Sequence, residues 1–341
     1  MKTLYWFGAL LLFFLLGTGV IVGLLFCPNN FAPAPKVLVY IPNNTSARQV
    51  SHILDDSEMV LSNHLFLLYA RLLGKSRDLR AGYYEMSPEW SIYTVLETLC
   101  SPNTHARLIR TTIPEGYSLR QIAQLLSQKG ITSSSALLGY WHTAVFRDYG
   151  KKYPYLMAIP TASVEGYLFP DTYLFAANST PKAVTGMLLE TFDKKLFSLW
   201  ETSRGSSKNA SLKDFHAYLT LASLVEKEAV FRDEMPTIAG VFLNRLAIGM
   251  PLATDPTIVY ALGDVWRKQL FYRDLKIDSP YNTYKNKGLP PTPIASPGIS
   301  AFQAVLYPSS HAYLFFVALK EGGGRHVFTR SYREHLSVQG Y

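Results

Sequence analysis

Residues 4–26 hold 23 consecutive positions without a charged side chain. No other feature limits so sharply what this chain can fold into. A run of ~20 apolar residues is long enough to cross the hydrocarbon core of a bilayer, where only a helix can satisfy its own backbone. Lys2 and the amino terminus precede the run, and the next charge is Lys36. This small positive bias points residues 1–3 toward the cytoplasm and everything after the run to the outside. A cleaved signal peptide would carry a shorter apolar region, about 7–15 residues, ended by small residues. Lipidation at Cys27 would want a small residue where Phe26 stands. The expectation is an uncleaved single-pass anchor over residues 4–26. A linker over residues 27–36, with three prolines and two asparagines, follows it.

The remainder is long enough for two domains with cores of their own, within a total of 341 residues. Charged residues make up 17% and aromatic residues 13%, which excludes a disordered chain. The net charge of +8 suits an anionic partner or an anionic membrane surface. The basic residues are spread out and accompany no nucleic-acid motif, so no nucleic-acid partner is expected. Cys27 and Cys100 build neither a disulfide framework nor a zinc site, and the histidines lack ligand spacing. No metal and no cofactor are expected.

Two segments resemble each other at a constant offset. Ile41-Pro42, Ser46, Arg48-Gln49-Val50 and Ile53-Leu54 match Ile113-Pro114, Ser118, Arg120-Gln121-Ile122 and Leu125-Leu126. In each, a β-rich run (residues 37–41; residues 108–113) meets a turn, and a serine N-cap opens an amphipathic helix. The first copy continues through a helix near residues 62–73, a tyrosine-rich strand over residues 82–86 and a helix near residues 91–99. A strand–helix–helix–strand unit can grip an extended chain or can simply be a packing module. Residues 131–157 read as a helical connector. The expected division is therefore an α/β part over residues 37–155 and a mixed α+β domain over residues 156–341.

The most chemically informative stretch is Leu221-Ala222-Ser223-Leu224-Val225-Glu226-Lys227-Glu228. It sets two carboxylates on an otherwise apolar helix. His216, Thr220, Ser223 and Lys227 recur every three to four residues as one polar stripe, and both glutamates lie off it. Burial raises a carboxyl pKa, and a glutamic acid kept protonated near neutrality is a general acid for breaking a glycosidic bond. Residues two apart on a helix point about 200° apart, so the two glutamates cannot serve one site from the same side. Glu228 stacks beyond Leu221, Leu224 and Val225, and Glu226 neighbours Leu219, Ala222 and Val230. That leans toward Glu228 and leaves Glu226 open. Either could instead pair with Arg232 or Arg245 as a structural ion pair.

Around this helix lie short clusters of special residues. Phe169-Pro170-Asp171-Thr172-Tyr173 is either an aromatic turn on which a sugar stacks or a rigid turn beside a core tyrosine. An amphipathic helix is expected over residues 182–200 and a polar loop over residues 201–213. Asn244-Arg245 follows the glutamates on a further helix. In Thr254-Asp255-Pro256-Thr257, Asp255 either orients a sugar or caps the helix that starts at Pro256. Tyr281-Asn282-Thr283-Tyr284 and the proline-rich residues 288–298 form a long loop of the kind that walls a binding site. Residues 314–328 close as a β-hairpin.

Together these motifs resemble the YceG-like family of endolytic murein transglycosylases. The matching stretches are residues 165–173, 222–228, 241–246, 249–256, 281–284, 288–298 and 326–328. They occur in the family's order, and the anchor and a LysM-like α/β module fit as well. Tyr307-Pro308 departs from an expected His-Pro, and Phe169 occupies a slot that varies between Phe and Trp. The resemblance implies a single-pass protein of the bacterial inner membrane with its catalytic domain outside the cytoplasm. It implies cleavage of MurNAc–GlcNAc bonds within nascent glycan strands, leaving 1,6-anhydroMurNAc ends. It makes Glu228 the catalytic residue, with Glu226 as the alternative. Asp171, Tyr173, Asn244, Arg245, Asp255, Tyr281, Asn282 and Tyr284 are the expected substrate-binding residues. Expected partners are peptidoglycan strands, the membrane and, at family level, peptidoglycan synthases. A hydrolase using Glu228 with Asp255, and a non-catalytic cell-wall scaffold, are the competing readings.

Overall fold

The computed structural model describes residues 19, 23–28, 30, 36–42, 44–102, 108–203, 211–263, 270–319 and 323–339. Most of the expected anchor, residues 4–26, and much of the expected linker and of the polar loop over residues 201–213 lie outside the described residues. Among the described residues no helix is long and apolar enough to cross a membrane. The chain is mixed α+β and divides into two compact units, Met1–Ile109 with Leu174–Ala183, and Arg110–Tyr173 with Val184–Tyr341.

In the first unit, β1 (Val37–Ile41) is followed by α1 (Ala47–Asp56), α2 (Asn63–Leu72), β2 (Gly82–Met86) and α3 (Ile92–Cys100). The two strands pair antiparallel, with Val37 opposite Met86 and Ile41 opposite Gly82. Period-2 alternation turns Val39, Ile41, Tyr84 and Met86 inward, where they pack with Val50, Leu54, Phe66 and Leu96. Ser46 and Gln49 form a reciprocal capping box that starts α1. The strand–helix–helix–strand order and its boundaries follow the sequence pattern to within a residue.

The second copy of the repeat behaves differently. β3 (Leu108–Thr112) leads to α4 (Leu119–Gln128), which Ser118 and Gln121 open with the same capping box. The local resemblance is therefore structural. Yet α4 belongs to the second unit, so the compact units separate at Ile109–Arg110 and not within the helical connector at residues 131–157. Long-range bonds explain this. Gly116 N–H donates to Ser296 O and Ser296 N–H donates to Tyr117 O, each at 2.8 Å. Leu119 N–H at the start of α4 donates to the buried Glu165 carboxylate at 3.0 Å. The segment opening α4 is thus built into the proline-rich loop of the second unit.

The connector forms α5 (Ser134–Thr143) and α6 (Val145–Tyr149), and β4 (Thr172–Ala176) follows. The helix expected over residues 182–200 is interrupted: α7 (Pro181–Phe192) passes through a π turn at Asp193–Phe197 into α8 (Ser198–Ser203). Then come α9 (Leu212–Glu228), α10 (Met235–Ala247), α11 (Asp255–Ala261) and α12 (Ile299–Leu306). β5 (Phe315–Ala318) and β6 (His326–Thr329) form the expected hairpin, with Phe315 opposite Thr329. A helix that the sequence pattern did not suggest, α13 (Tyr332–Gln339), follows it.

The glutamate helix α9 runs through the middle of this unit. Ser211 and Asp214 cap it, and every residue from Leu219 to Val225 is buried. Apart from the exposed Lys227, its polar stripe does not face water. His216 Nδ1 lies 2.8 Å from Tyr167 Oη and its Nε2 lies 3.0 Å from Pro291 O. Ser223 Oγ accepts from Ile294 N–H at 3.1 Å. The stripe holds the loop over residues 288–298 against the helix. Gly166 lets that loop approach: its φ is +85°, and a Cβ there would sit 2.4 Å from Pro293 Cβ. Gly166→Ala is expected to lower stability by about 1–2 kcal/mol from the left-handed backbone alone, with the clash adding to it. A thermal melt reads this out, and a melting temperature equal to wild type would show that the backbone at this position relaxes out of the left-handed conformation.

Candidate active site

Glu228 is the last residue of α9; Ala229 already has extended φ and ψ of −80° and 125°. Its carboxylate therefore sits at the negative end of the helix dipole, a position that disfavours ionisation. Glu228 is partly exposed, and the Thr254 hydroxyl donates to its Oε1. Burial pushes its pKa above the ordinary carboxylate range. The Thr254 hydrogen bond opposes this, Asp255 adds to it, and His326 and Arg245 pull it back.

Thr254 is itself firmly held. It is 2% exposed. Its N–H donates to Thr283 Oγ1 at 3.1 Å, and Thr257 Oγ1 donates to its carbonyl at 2.7 Å. It occupies the N-cap position of α11, yet its hydroxyl makes no capping bond because that hydroxyl is committed to Glu228. The preceding Ala253 has φ +46°, a left-handed conformation that non-glycine residues rarely adopt. Such strain clusters at functional sites, where surrounding bonds hold it in place. Asp255 is the first residue of α11 and not its cap. Tyr284 Oη donates to Asp255 Oδ1 at 2.5 Å.

Glu226 faces a different neighbour, as two positions along one helix require. Its Oε2 accepts from Gly298 N–H at 3.0 Å. Burial raises its pKa, and the Gly298 hydrogen bond opposes the shift. The arginines considered from sequence are engaged elsewhere. Arg232 pairs with Glu115 at 3.0 Å. Arg245 is buried, and donates to Leu314 O and Leu252 O, each at 2.6 Å. Arg245 thus ties the start of the hairpin to the residue two before Thr254, and it acts on Glu228 through its field.

The other expected binding residues sort by their partners. Asp255 and Tyr284 gather with Glu228 and Thr254. Tyr281 Oη lies 2.8 Å from Thr292 Oγ1 and its ring packs 4.9 Å from that of Tyr260, joining two parts of the wall. Asn282 is fully buried: its Nδ2 donates to Leu275 O and Ile277 O at 3.0 and 2.8 Å. Asn244 Nδ2 donates to His311 O and Tyr313 O at 2.9 and 3.0 Å. These two amides spend their donors on holding loops. Asp171 pairs with Lys195 at 2.6 Å, and the buried Tyr173 donates to Phe169 O at 2.7 Å.

Three contributors were not evident from sequence. Thr254 reads there only as the neighbour of Asp255, ahead of the helix expected from Pro256. Thr283 reads only as part of a tyrosine-rich loop. His326 follows a run of glycines at the hairpin turn; its Nδ1 lies 3.0 Å from Glu234 Oε2 and its field reaches Glu228. Each lies in a stretch that carries the resemblance, but it reaches Glu228 or its partner from a remote part of the sequence, so no local pattern shows its contact.

The model of the YceG-like family matches residues 39–339. An endolytic murein transglycosylase of Bacillus subtilis is 34% identical over 306 residues, covering 88% of this chain and 82% of that protein. One from Streptococcus pneumoniae is 33% identical over 303 residues, covering 83% of this chain. The alignment takes in 54% of that longer protein. A crystal structure of a YceG-like protein from Listeria monocytogenes superposes with a TM-score of 0.60 at 33% identity, covering 89% of this chain and 99% of that one.

Proposed function

We propose that this chain, which belongs to the YceG-like family, is a peptidoglycan lytic transglycosylase that cuts MurNAc–GlcNAc bonds inside nascent glycan strands. The observation that carries this reading is the setting of Glu228. It is the carboxyl of a partly exposed residue at a helix C-terminus, biased toward its protonated form and held through one oxygen by Thr254. Protonated, Glu228 donates to the glycosidic oxygen as the GlcNAc leaving group departs from the anomeric carbon of MurNAc. Ionised, it takes the proton from the MurNAc 6-hydroxyl, whose oxygen closes on the anomeric carbon to form the 1,6-anhydro ring. The proton count balances and no water is consumed, so one carboxyl suffices. Thr254 fixes Oε1 and leaves Oε2 to carry the proton, while the Tyr284–Asp255 pair lines the approach.

The competing hydrolase reading draws on one observation, the field of Asp255 on Glu228. Two carboxyls would be needed to activate water. Mass spectrometry of glycan products decides: anhydro ends support the transglycosylase, and reducing ends would replace it with the hydrolase. Glu226→Gln keeps an oxygen for Gly298 N–H, so its cleavage rate is expected within a few-fold of wild type. Glu226→Leu leaves that N–H unpaired and is expected to cost about 1–3 kcal/mol of stability. Loss of all cleavage in a folded Glu226→Gln protein would move the catalytic role to Glu226.

The reading extends to location. The uncharged run that begins at residue 4 anchors the chain in the inner membrane, N-terminus in the cytoplasm, and the anchor ends short of the expected residue 26, because Leu25 belongs to the core of the unit outside. The strand–helix–helix–strand module then handles strands as they emerge from peptidoglycan synthases beside it.

A further inference from the structure

The end of the apolar run is fastened to the strand–helix–helix–strand unit. Leu25 is buried in that unit's core and Leu24 packs against it. The Phe26 ring lies 5.1 Å from that of Tyr93 on α3. Pro28 bridges to Ser91, and Asn30 N–H donates to Pro88 O at 2.9 Å. Where residues 27–36 read as a linker, the chain is already attached to the start of α3.

The same ring marks one end of α2. Lys75 Nζ, three residues past that helix, lies 6.0 Å from the Tyr93 centroid and pairs with Glu97. On the outer side of α2, Leu68 and Leu72 fall at i and i+4, and Leu61 lies seven residues before Leu68, whereas Leu65 packs against the core. The opposite face, with Phe66, Tyr69 and Ala70, is buried. The stripe is open: Leu61 is 52% exposed, Leu68 42% and Leu72 64%, and Leu73 beyond it is 40% exposed. His64, Arg71 and Lys75 border it on one side, and α2 contains no acidic residue. The acidic Asp55, Asp56 and Glu58 come before α2, at the end away from Lys75. Leucines edged by cations, next to the exposed Phe26 that closes the apolar run, make a surface with the chemistry of an interfacial helix.

We infer that the outer face of α2 lies on the bilayer, its leucines among the acyl-chain boundary and Arg71 at anionic headgroups. The occupant is the lipid surface itself, and the inference rests on the anchor reading above. With Leu25 and Phe26 packed on the unit, an anchored chain cannot carry this module far from the membrane. The module is then a foot and not a freely swinging arm.

The test uses the full chain in vesicles of phosphatidylglycerol and phosphatidylethanolamine, with Cys27→Ser and Cys100→Ala removing the native thiols. An environment-sensitive fluorophore is placed at Leu68→Cys, at Leu72→Cys or, for reference, at the exposed Arg48→Cys on α1. Nitroxide-bearing lipids are expected to quench the two leucine positions at least ~3-fold more than the reference. Two leucine positions guard against one misfolded variant. Equal quenching at all three, in chain that resists an alkaline wash, overturns the foot and leaves the anchor standing. Release of the chain by that wash overturns the anchor and the foot together.

Discussion

Glu228→Gln is expected to reduce the yield of anhydro-ended fragments by on the order of 10³-fold, within the range that removal of one general acid–base group produces. The protein should fold at least as well as wild type. The sign of the stability effect follows from linkage. Burial holds the Glu228 pKa above its unfolded value, so its favourable contribution is complete below the ordinary carboxylate pKa. That contribution is lost as pH rises through the raised value. Above that raised value the wild-type protein bears an ionised group in a site that disfavours it, at a helix C-terminus. Glutamine carries no charge and retains an oxygen for the Thr254 hydroxyl. Its melting temperature should therefore match wild type near pH 4 and equal or exceed it at pH 8. Paired melts and product mass spectra check both halves. Wild-type cleavage by Glu228→Gln would remove the proposed acid, and a collapsed melt would make the activity loss uninformative about chemistry.

The parts legible in sequence were those set locally. The capping boxes at Ser46 and Ser118, the alternation of β1 and β2 and the existence of the glutamate helix need only residues a few positions apart. The opposed directions of Glu226 and Glu228 also needed only helix geometry. The two carboxyls do meet different partners, Gly298 N–H and the Thr254 hydroxyl. What escaped was set by distant contacts. The second repeat copy looks like the first, but bonds to Ser296 and Glu165 place its helix in the other unit. Asn244 donates to His311 O and Tyr313 O, more than sixty residues away, and no local pattern shows that it fastens that loop. The polar stripe on α9 shows in its spacing, but the partners of His216 and Ser223 do not; they are Tyr167, Pro291 and Ile294.

Thr254→Val should separate a positioning role from mere packing. The substitution keeps the branched shape and removes only the donor to Glu228 Oε1. Hydrogen bonds to charged groups contribute about 1.5–3 kcal/mol, so a loss near ~2 kcal/mol corresponds to roughly thirtyfold in kcat/KM. The pH profile carries the sharper signature. Thr254 stabilises the carboxylate and so opposes the upward shift that burial imposes. Without it the Glu228 pKa moves further up, and the alkaline limb of kcat/KM, which reports loss of the protonated acid, moves to higher pH. The plateau falls because Oε1 is no longer fixed and the proton-bearing Oε2 loses its aim. The variant should therefore be slower than wild type at its optimum yet retain a larger fraction of its own maximum at alkaline pH. Thr254→Ser, which restores a hydroxyl, should bring the limb back even if packing loss leaves the plateau low. A lowered plateau with an unmoved limb in Thr254→Val would assign Thr254 to packing alone, and would leave the Glu228 proton to burial and the fields of Asp255, His326 and Arg245.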